Sequence, residues 1–376
     1  MDPDSATQDI MSVIYGMMKD PPNADVPIPP SNHYSTACGV SIPFCVLSMV
    51  AVGLRLFTRM KIVRQLGWDD FFVAIAAVFN IIALATFLGA IKHGLGQHLI
   101  SILAIFPTTM KWFYVTSSAY ITTTICIKLS LLCQYLRMWR NGYRRSITMV
   151  LFIMIILWGG AFTFMTWVPC FPVRGYWDKF MNPPAKCYAF GYRTASEAKT
   201  TLLAFTGSNM VFDIAVFSVP LTEYLKPDLK RKQVLALTGL FLMGFIVVLM
   251  SALRLWSGMR YNNRGYAMYD FTFWWPEVAL FGCLEVDFAI ICASIPIFWP
   301  TMMAAWTQIT VTHEVIVTSE SHPYTDHEAK DMELNRIVPE SLKRQDSTEG
   351  LVDCERMKER VIIRDPQVSK MGRNKW

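Results

Sequence analysis

The sequence predicts an all-α membrane protein, a seven-transmembrane helix bundle with its N-terminus outside and its C-terminus in the cytosol. Three observations lead there. Hydrophobic residues make up 53% of the 376 positions. Charged residues are held to 17% and fall mainly in a polar tail or in short clusters between apolar runs. Those runs number seven, and each approaches the roughly 20 residues a helix needs to cross a hydrocarbon core of about 30 Å.

Span one, about 36–58, ends on the basic residues Arg59, Lys61 and Arg64. Span two, about 69–91, is the cleanest: "DDFFVAIAAVFNIIALATFLGAI". Its opening carboxylates, Asp69 and Asp70, suit a helix N-terminus, where free N–H groups and the helix dipole favour negative charge. Arg55 and Arg59 close span one at the same level and can pair with them. Span three, about 110–137, ends on Arg137, Arg140, Arg144 and Arg145. Span four, about 147–168, leads into a long loop holding Cys170 and Cys187. Span five, about 200–225, is followed by Lys226, Lys230, Arg231 and Lys232, and span six covers about 233–257. Span seven, about 275–303, is interrupted by Glu277, Glu285 and Asp287. Pro169, Pro220, Pro276, Pro296 and Pro300 lie at or near span ends, where a helix tolerates them.

The basic linkers follow spans one, three and five. By the excess of Lys and Arg in cytoplasmic loops, those linkers lie in the cytosol and the N-terminus lies outside. Three parts result: an extracellular segment 1–35, the membrane domain 36–303, and a largely disordered cytosolic tail 304–376. The tail includes a strand-like "QITVTHEVIVT" and a basic stretch before Ser347 that fits a kinase site, and nothing in it identifies a cytosolic partner. The acidic, proline-rich start lacks a basic n-region, so no cleaved signal peptide is expected. The net charge of +6 sits beside the spans rather than on one soluble face, which excludes a nucleic-acid partner and leaves the lipid bilayer.

Topology also sorts the nine cysteines. Cys45, Cys126, Cys133, Cys283 and Cys292 lie within spans, and Cys354 lies in the reducing cytosol. Cys170 and Cys187 share one exterior loop and are expected to form a disulfide. Cys38 is left unpaired.

Charges inside the spans are the candidate functional residues, because such groups are costly in a bilayer and face a partner or a cavity. Lys128 sits nine residues before Arg137, about 13 Å from the cytosolic edge. Its side chain leans toward the helix N-terminus, which adds several ångströms. Asp213 lies thirteen residues before Lys226, about 20 Å from the same edge, so the two groups can meet. Arg254 matches Glu285 or Asp287 in the outer third. Structural ion pairing is the first reading of these five residues, and a polar ligand pocket built on the same charges is the second. Retinal is excluded as a cofactor, since the last span holds no lysine for a Schiff base.

At the outer end, "KHGLGQH" places His93 and His98 in a glycine-rich loop, where the spacing matches no standard metal site. With Trp112, Asp270, Trp275 and Glu277 they can line an outward-open pocket for an amphipathic small molecule. Most aromatics at this end fit an interfacial belt. No phosphate-binding loop, dinucleotide fingerprint, zinc-protease motif or nucleophile elbow is present.

Several stretches, in order, resemble the fungal rhodopsin-domain family of seven-helix membrane proteins. They are "LGWDDFFVAIAAVFNIIALATFLGAIKHGLGQH", "IKLSLLCQYLRM", "CFPVRGYWD" with the later "KC", "NMVFDIAVFSVPLTEYLKPDLKRKQ", "GFIVVLMSALRL" and "ICASIP". That family includes the satratoxin-cluster-type membrane proteins and, more distantly, the Pth-type receptors. The resemblance spans about 36–303. It lacks the cysteine-rich extracellular module of some receptors, which points to the short form associated with secondary-metabolite clusters. It implies a non-enzymatic, receptor-like membrane protein tied to secondary metabolism or its sensing, without retinal. Two alternatives stay open: a membrane-embedded cyclase or isomerase using Asp213, Glu285 or Asp287 as proton donors, and a small-metabolite carrier.

Overall fold

The computed structural model describes residues 12, 14–19, 27–139, 141–178, 185–191, 195–224, 231–260 and 270–310. Its framework is seven helices: α1 (Tyr34–Phe57), α2 (Trp68–Lys92), α3 (Phe106–Met138), α4 (Tyr143–Trp167), α5 (Ala195–Tyr224), α6 (Arg231–Arg260) and α7 (Phe271–Thr310). All seven are long and apolar enough to cross a membrane. The most apolar part of α3 and that of α7 are each 72% buried, against 17% for α4 and 22% for α6. Those two helices form the axis of the bundle, although α3 is the least apolar of the seven. Most of its threonines and serines, and Lys128, are buried against protein. The outward rows are apolar instead, with Val46, Val50 and Leu54 on α1 and Ile153 and Leu157 on α4 exposed.

Helix ends depart from the sequence reading in both directions. α1 continues as a π-helical turn, Thr58–Val63, and stops where Arg64 takes a left-handed conformation. α7 runs from 271 to 310, so Pro276, Pro296 and Pro300 fall within it rather than at its ends, and Pro220 lies within α5. Lipid offers no alternative hydrogen-bond partner, so the helix continues past such residues. The linker residues Arg140, Lys226 and Lys230, the tail from 311 with Ser347 and Cys354, and most of 1–26 lie outside the described residues.

Between membrane helices there is little hydrophobic drive, so close packing depends on small residues and polar contacts. At Gly159 of α4 a Cβ would come within 2.7 Å of Ile125 on α3. At Gly244 of α6 it would come within 2.5 Å of Phe217 on α5.

One end of the bundle carries a two-stranded antiparallel hairpin, β1 (Cys170–Phe171) and β2 (Lys186–Cys187), with Cys170 opposite Cys187. The two cysteines form the expected disulfide. Cys170 and Tyr176 pack with Phe87 of α2 and Phe113 of α3, so the hairpin closes over this end. A crosslink around a loop of 17 residues is worth about 3 kcal/mol in the chain-entropy model. Cys170→Ala with Cys187→Ala should lower stability by about that amount in detergent unfolding experiments, and an unchanged midpoint would show the hairpin is held by packing alone. The opposite end holds the arginine cluster described next.

Candidate functional site

At the arginine end, Asp69 and Asp70 occupy the first turn of α2, where the Asp70 carboxylate accepts a 3.1 Å hydrogen bond from the Gly67 N–H. Arg55, fully buried on α1, donates from Nη2 to Asp69 at 2.7 Å and from Nε to Asp70 at 3.0 Å. Its Nη1 donates to the Ala293 carbonyl of α7 at 2.6 Å and to Gln134 of α3 at 3.3 Å. Arg59 pairs with Asp69 at 3.1 Å and Asp70 at 3.6 Å, and Arg137 lies 3.6 Å from Asp69. Four helices thus meet on one planar guanidinium, whose fork suits two carboxylates at once.

In the middle of the bundle, the Lys128 ammonium of α3 donates to the Asp213 carboxylate of α5. Arg254 of α6 pairs with Glu285 of α7, Nε to Oε2, at 3.4 Å. The two pairs are not separate. The Asn209 amide donates to Asp213 at 2.9 Å and to Glu285 at 2.8 Å, and the Tyr120 hydroxyl donates to Glu285 at 3.4 Å. One network therefore joins α3, α5, α6 and α7, with two cations balancing two anions.

Asp287 is not part of it, and Arg254 takes Glu285 alone. Two residues on a helix differ by about 200° around its axis. Glu285 therefore points toward α5 and α6, while Asp287 points toward α1 and α2. There it accepts from Ser48 at 2.7 Å and from Asn80 at 2.8 Å. Asn80, Tyr120 and Asn209 were missed by a search confined to charged residues. The available signal was an amide or phenol inside an otherwise apolar span.

The outward pocket does not form as expected. His93 sits against the Gly89 carbonyl at 2.8 Å and stacks on Trp112 with centroids 5.5 Å apart. His98 approaches Asp270 at 2.7 Å and stacks on Phe273. The two imidazoles have different partners, and the described residues contain no His, Cys, Asp and Glu group arranged for a metal. Asp270, fully buried, also accepts from the Leu99 N–H at 2.7 Å. Asn32 donates to the carbonyls of Gly96 and Phe273, tying the chain before α1 to the same corner. The cause is the 93–105 loop, which folds over the start of α7 and uses these side chains as fasteners. Glu277 lines neither cavity described below.

Two cavities flank the central network. The larger, about 60 Å3, lies among α2, α3, α5, α6 and α7 and is lined by Asn80, Tyr120, Phe205, Arg254, Trp275 and neighbouring apolar groups. Of the six residues expected around an outer pocket, Trp275 alone reaches it. The smaller, about 40 Å3, is lined by Lys128, Asp213, Glu285, Tyr135 and Phe217 among others. Arg254 presents Nη2 without a hydrogen-bond partner beside the Nε that faces Glu285, its guanidinium 5.0 Å above the Tyr120 ring and 5.7 Å from Phe205.

Residues 54–304 match the sequence model of the fungal rhodopsin domain. The chain is 23% identical over 283 residues to "Wortmanamides biosynthesis cluster protein C" of Talaromyces wortmannii, covering 71% of each chain. It is 27% identical over 210 residues to "Polyenoic acids biosynthesis gene cluster protein Ba17b" of Metarhizium anisopliae, covering 53% of this chain and 54% of that one. No solved structure matches significantly. The matched segment runs from the end of α1 into α7, contains every ion pair described above and exceeds half the chain, so this protein belongs to the fungal rhodopsin domain family.

Proposed function

We propose that this multi-pass membrane protein serves secondary-metabolite biosynthesis without being an enzyme, as a receptor-like bundle that holds an amphipathic small molecule. The names of the two relatives, both biosynthesis cluster proteins, support the metabolic setting. The observation that carries the binding role is the lining of the larger cavity. Its strongly ionic side chain is Arg254, a planar hydrogen-bond donor with no acceptor lone pair. A cyclase or isomerase needs a carboxyl group facing its substrate. Asp213 and Glu285 face the smaller cavity instead, already engaged by Lys128, Asn209, Tyr120 and Arg254. Those carboxylates are the specific feature that keeps an enzymatic alternative worth testing.

Gene deletion followed by metabolite profiling separates the two. A binding or sensing role predicts that a whole group of related products falls together, with no unconverted precursor building up. Accumulation of one precursor that the purified protein then converts would establish the enzyme.

The hairpin end is assigned to the exterior and the arginine end to the cytosol, on the basic linkers after α1, α3 and α5. A tag placed after Trp376 should survive protease treatment of sealed cells. Its digestion there would reverse the orientation.

A further inference from the structure

We infer that the larger cavity takes a neutral, slender apolar molecule bearing a carbonyl-type acceptor, which docks on Arg254. The inference rests on the binding role proposed above and names the ligand class for the same cavity.

The Arg254 side chain is 3% exposed and its Nε faces Glu285 Oε2 at 3.4 Å, yet its Nη2 has no hydrogen-bond acceptor. A buried donor without an acceptor is unfavourable, and a charged donor more so. A ligand oxygen placed beside Arg254 would satisfy it. The guanidinium already lies over the Tyr120 ring and near Phe205, so its plane is fixed before a ligand arrives. That leaves little side-chain entropy to lose on binding.

Charge balance then selects between acceptors. Arg254 is matched by Glu285 at 3.4 Å, and Lys128 is matched by Asp213. Asp287 lies on the next face of α7, held by Ser48 and Asn80, and Asn80 also lines the cavity. An entering carboxylate would add negative charge to a region where acidic groups behind the cavity wall already engage both nearby cations. Like charges at such range in a dry interior oppose one another strongly. A carbonyl oxygen gains the Arg254 hydrogen bond without disturbing the balance.

Apart from Arg254, the walls are largely aromatic and aliphatic, with Phe113, Phe205, Trp275 and Val286 among them. A cavity of about 60 Å3 is well below the roughly 150 Å3 that holds one benzene ring, so it admits the narrow acceptor end of such a molecule and not a fused ring system. Phe113 also packs with Phe87, Cys170 and Tyr176, so the hairpin end closes over one side of this wall.

The test uses the full chain in lipid nanodiscs and three ten-carbon probes: decanamide, decanoate and decane. Binding is read from Trp275 fluorescence, with Trp275→Phe subtracting the signal of the other tryptophans. Decanamide should bind saturably, and at least tenfold more tightly than decanoate or decane. Arg254→Met combined with Glu285→Gln keeps the site neutral and should weaken decanamide by about tenfold to a hundredfold, the loss expected for a hydrogen bond to a charged donor. Ala279→Phe, which fills the cavity while leaving the charges in place, should abolish saturable binding even if the first variant fails to fold. Tighter binding of decanoate, equal binding of the three probes, no binding of any, or undiminished binding in a folded variant would each overturn the inference. Chemical conversion of bound decanamide, read by mass spectrometry, would instead overturn the non-enzymatic reading and leave the site standing.

Discussion

Lys128→Met and Asp213→Leu, made singly, should each cost about 3–5 kcal/mol of stability, while the double substitution should recover most of the loss. The side chains of Lys128 and Asp213 are 3% and 8% exposed, so neither charge keeps appreciable contact with solvent. Each single change strands the other ion in a low-dielectric interior, where the desolvation penalty is no longer offset. The pair removed together leaves two apolar side chains of similar bulk between α3 and α5. Recovery should be incomplete for a nameable reason. Asn209 donates to both Asp213 and Glu285, and the double mutant leaves it only Glu285. Thermal unfolding of purified protein in detergent is the measurement. A double mutant as unstable as the worse single would show that the two residues do not act as a pair. A well-folded double mutant that no longer supports metabolite production would move both charges from the scaffold to the working site.

Arg55→Met should be at least as damaging, again by about 3–5 kcal/mol. Arg55 is fully buried and serves α1, α2, α3 and α7 through Asp69, Asp70, Gln134 and the Ala293 carbonyl. Its loss leaves that carbonyl without its charged donor and leaves two buried carboxylates to Arg59 and Arg137. Arg55→Lys should rescue little, because one ammonium cannot reproduce a fork that reaches both aspartates and a carbonyl. Arg137→Met is the contrast. That side chain is 36% exposed and 3.6 Å from Asp69, so screening by solvent limits its contribution to about 0–1 kcal/mol. Unfolding midpoints of the three variants should rank accordingly. If Arg55→Lys matches the unsubstituted protein, net charge rather than fork geometry holds this end together.

Neither residue was hidden in the sequence. Lys128 and Arg55 stand out because charges are rare in membrane helices, and counting residues from the basic edges placed them at depths shared with Asp213, Asp69 and Asp70. Depth is half of a cylindrical coordinate. The other half, rotation about the helix axis, follows only from how helices are tilted and packed. That is why Glu285 and Asp287 were interchangeable partners for Arg254 until α7 was oriented. It is also why His93, Trp112, Asp270 and Glu277 appeared to share a pocket with Trp275. They lie at one end of the bundle, yet the 93–105 loop binds most of them into a closed corner.

By itself the sequence determined seven membrane-crossing helices, their order and approximate limits, and the one loop disulfide. A bilayer makes this possible: backbone groups must be satisfied within each segment, so a sufficiently long apolar run has one available structure. Tertiary structure alone decided that Asn209 joins two ion pairs into one network. It also placed Arg254, rather than a carboxylate, on the wall of the larger cavity. Those outcomes depend on helix rotation and on contacts between residues up to 165 positions apart, which hydropathy along a single chain does not encode.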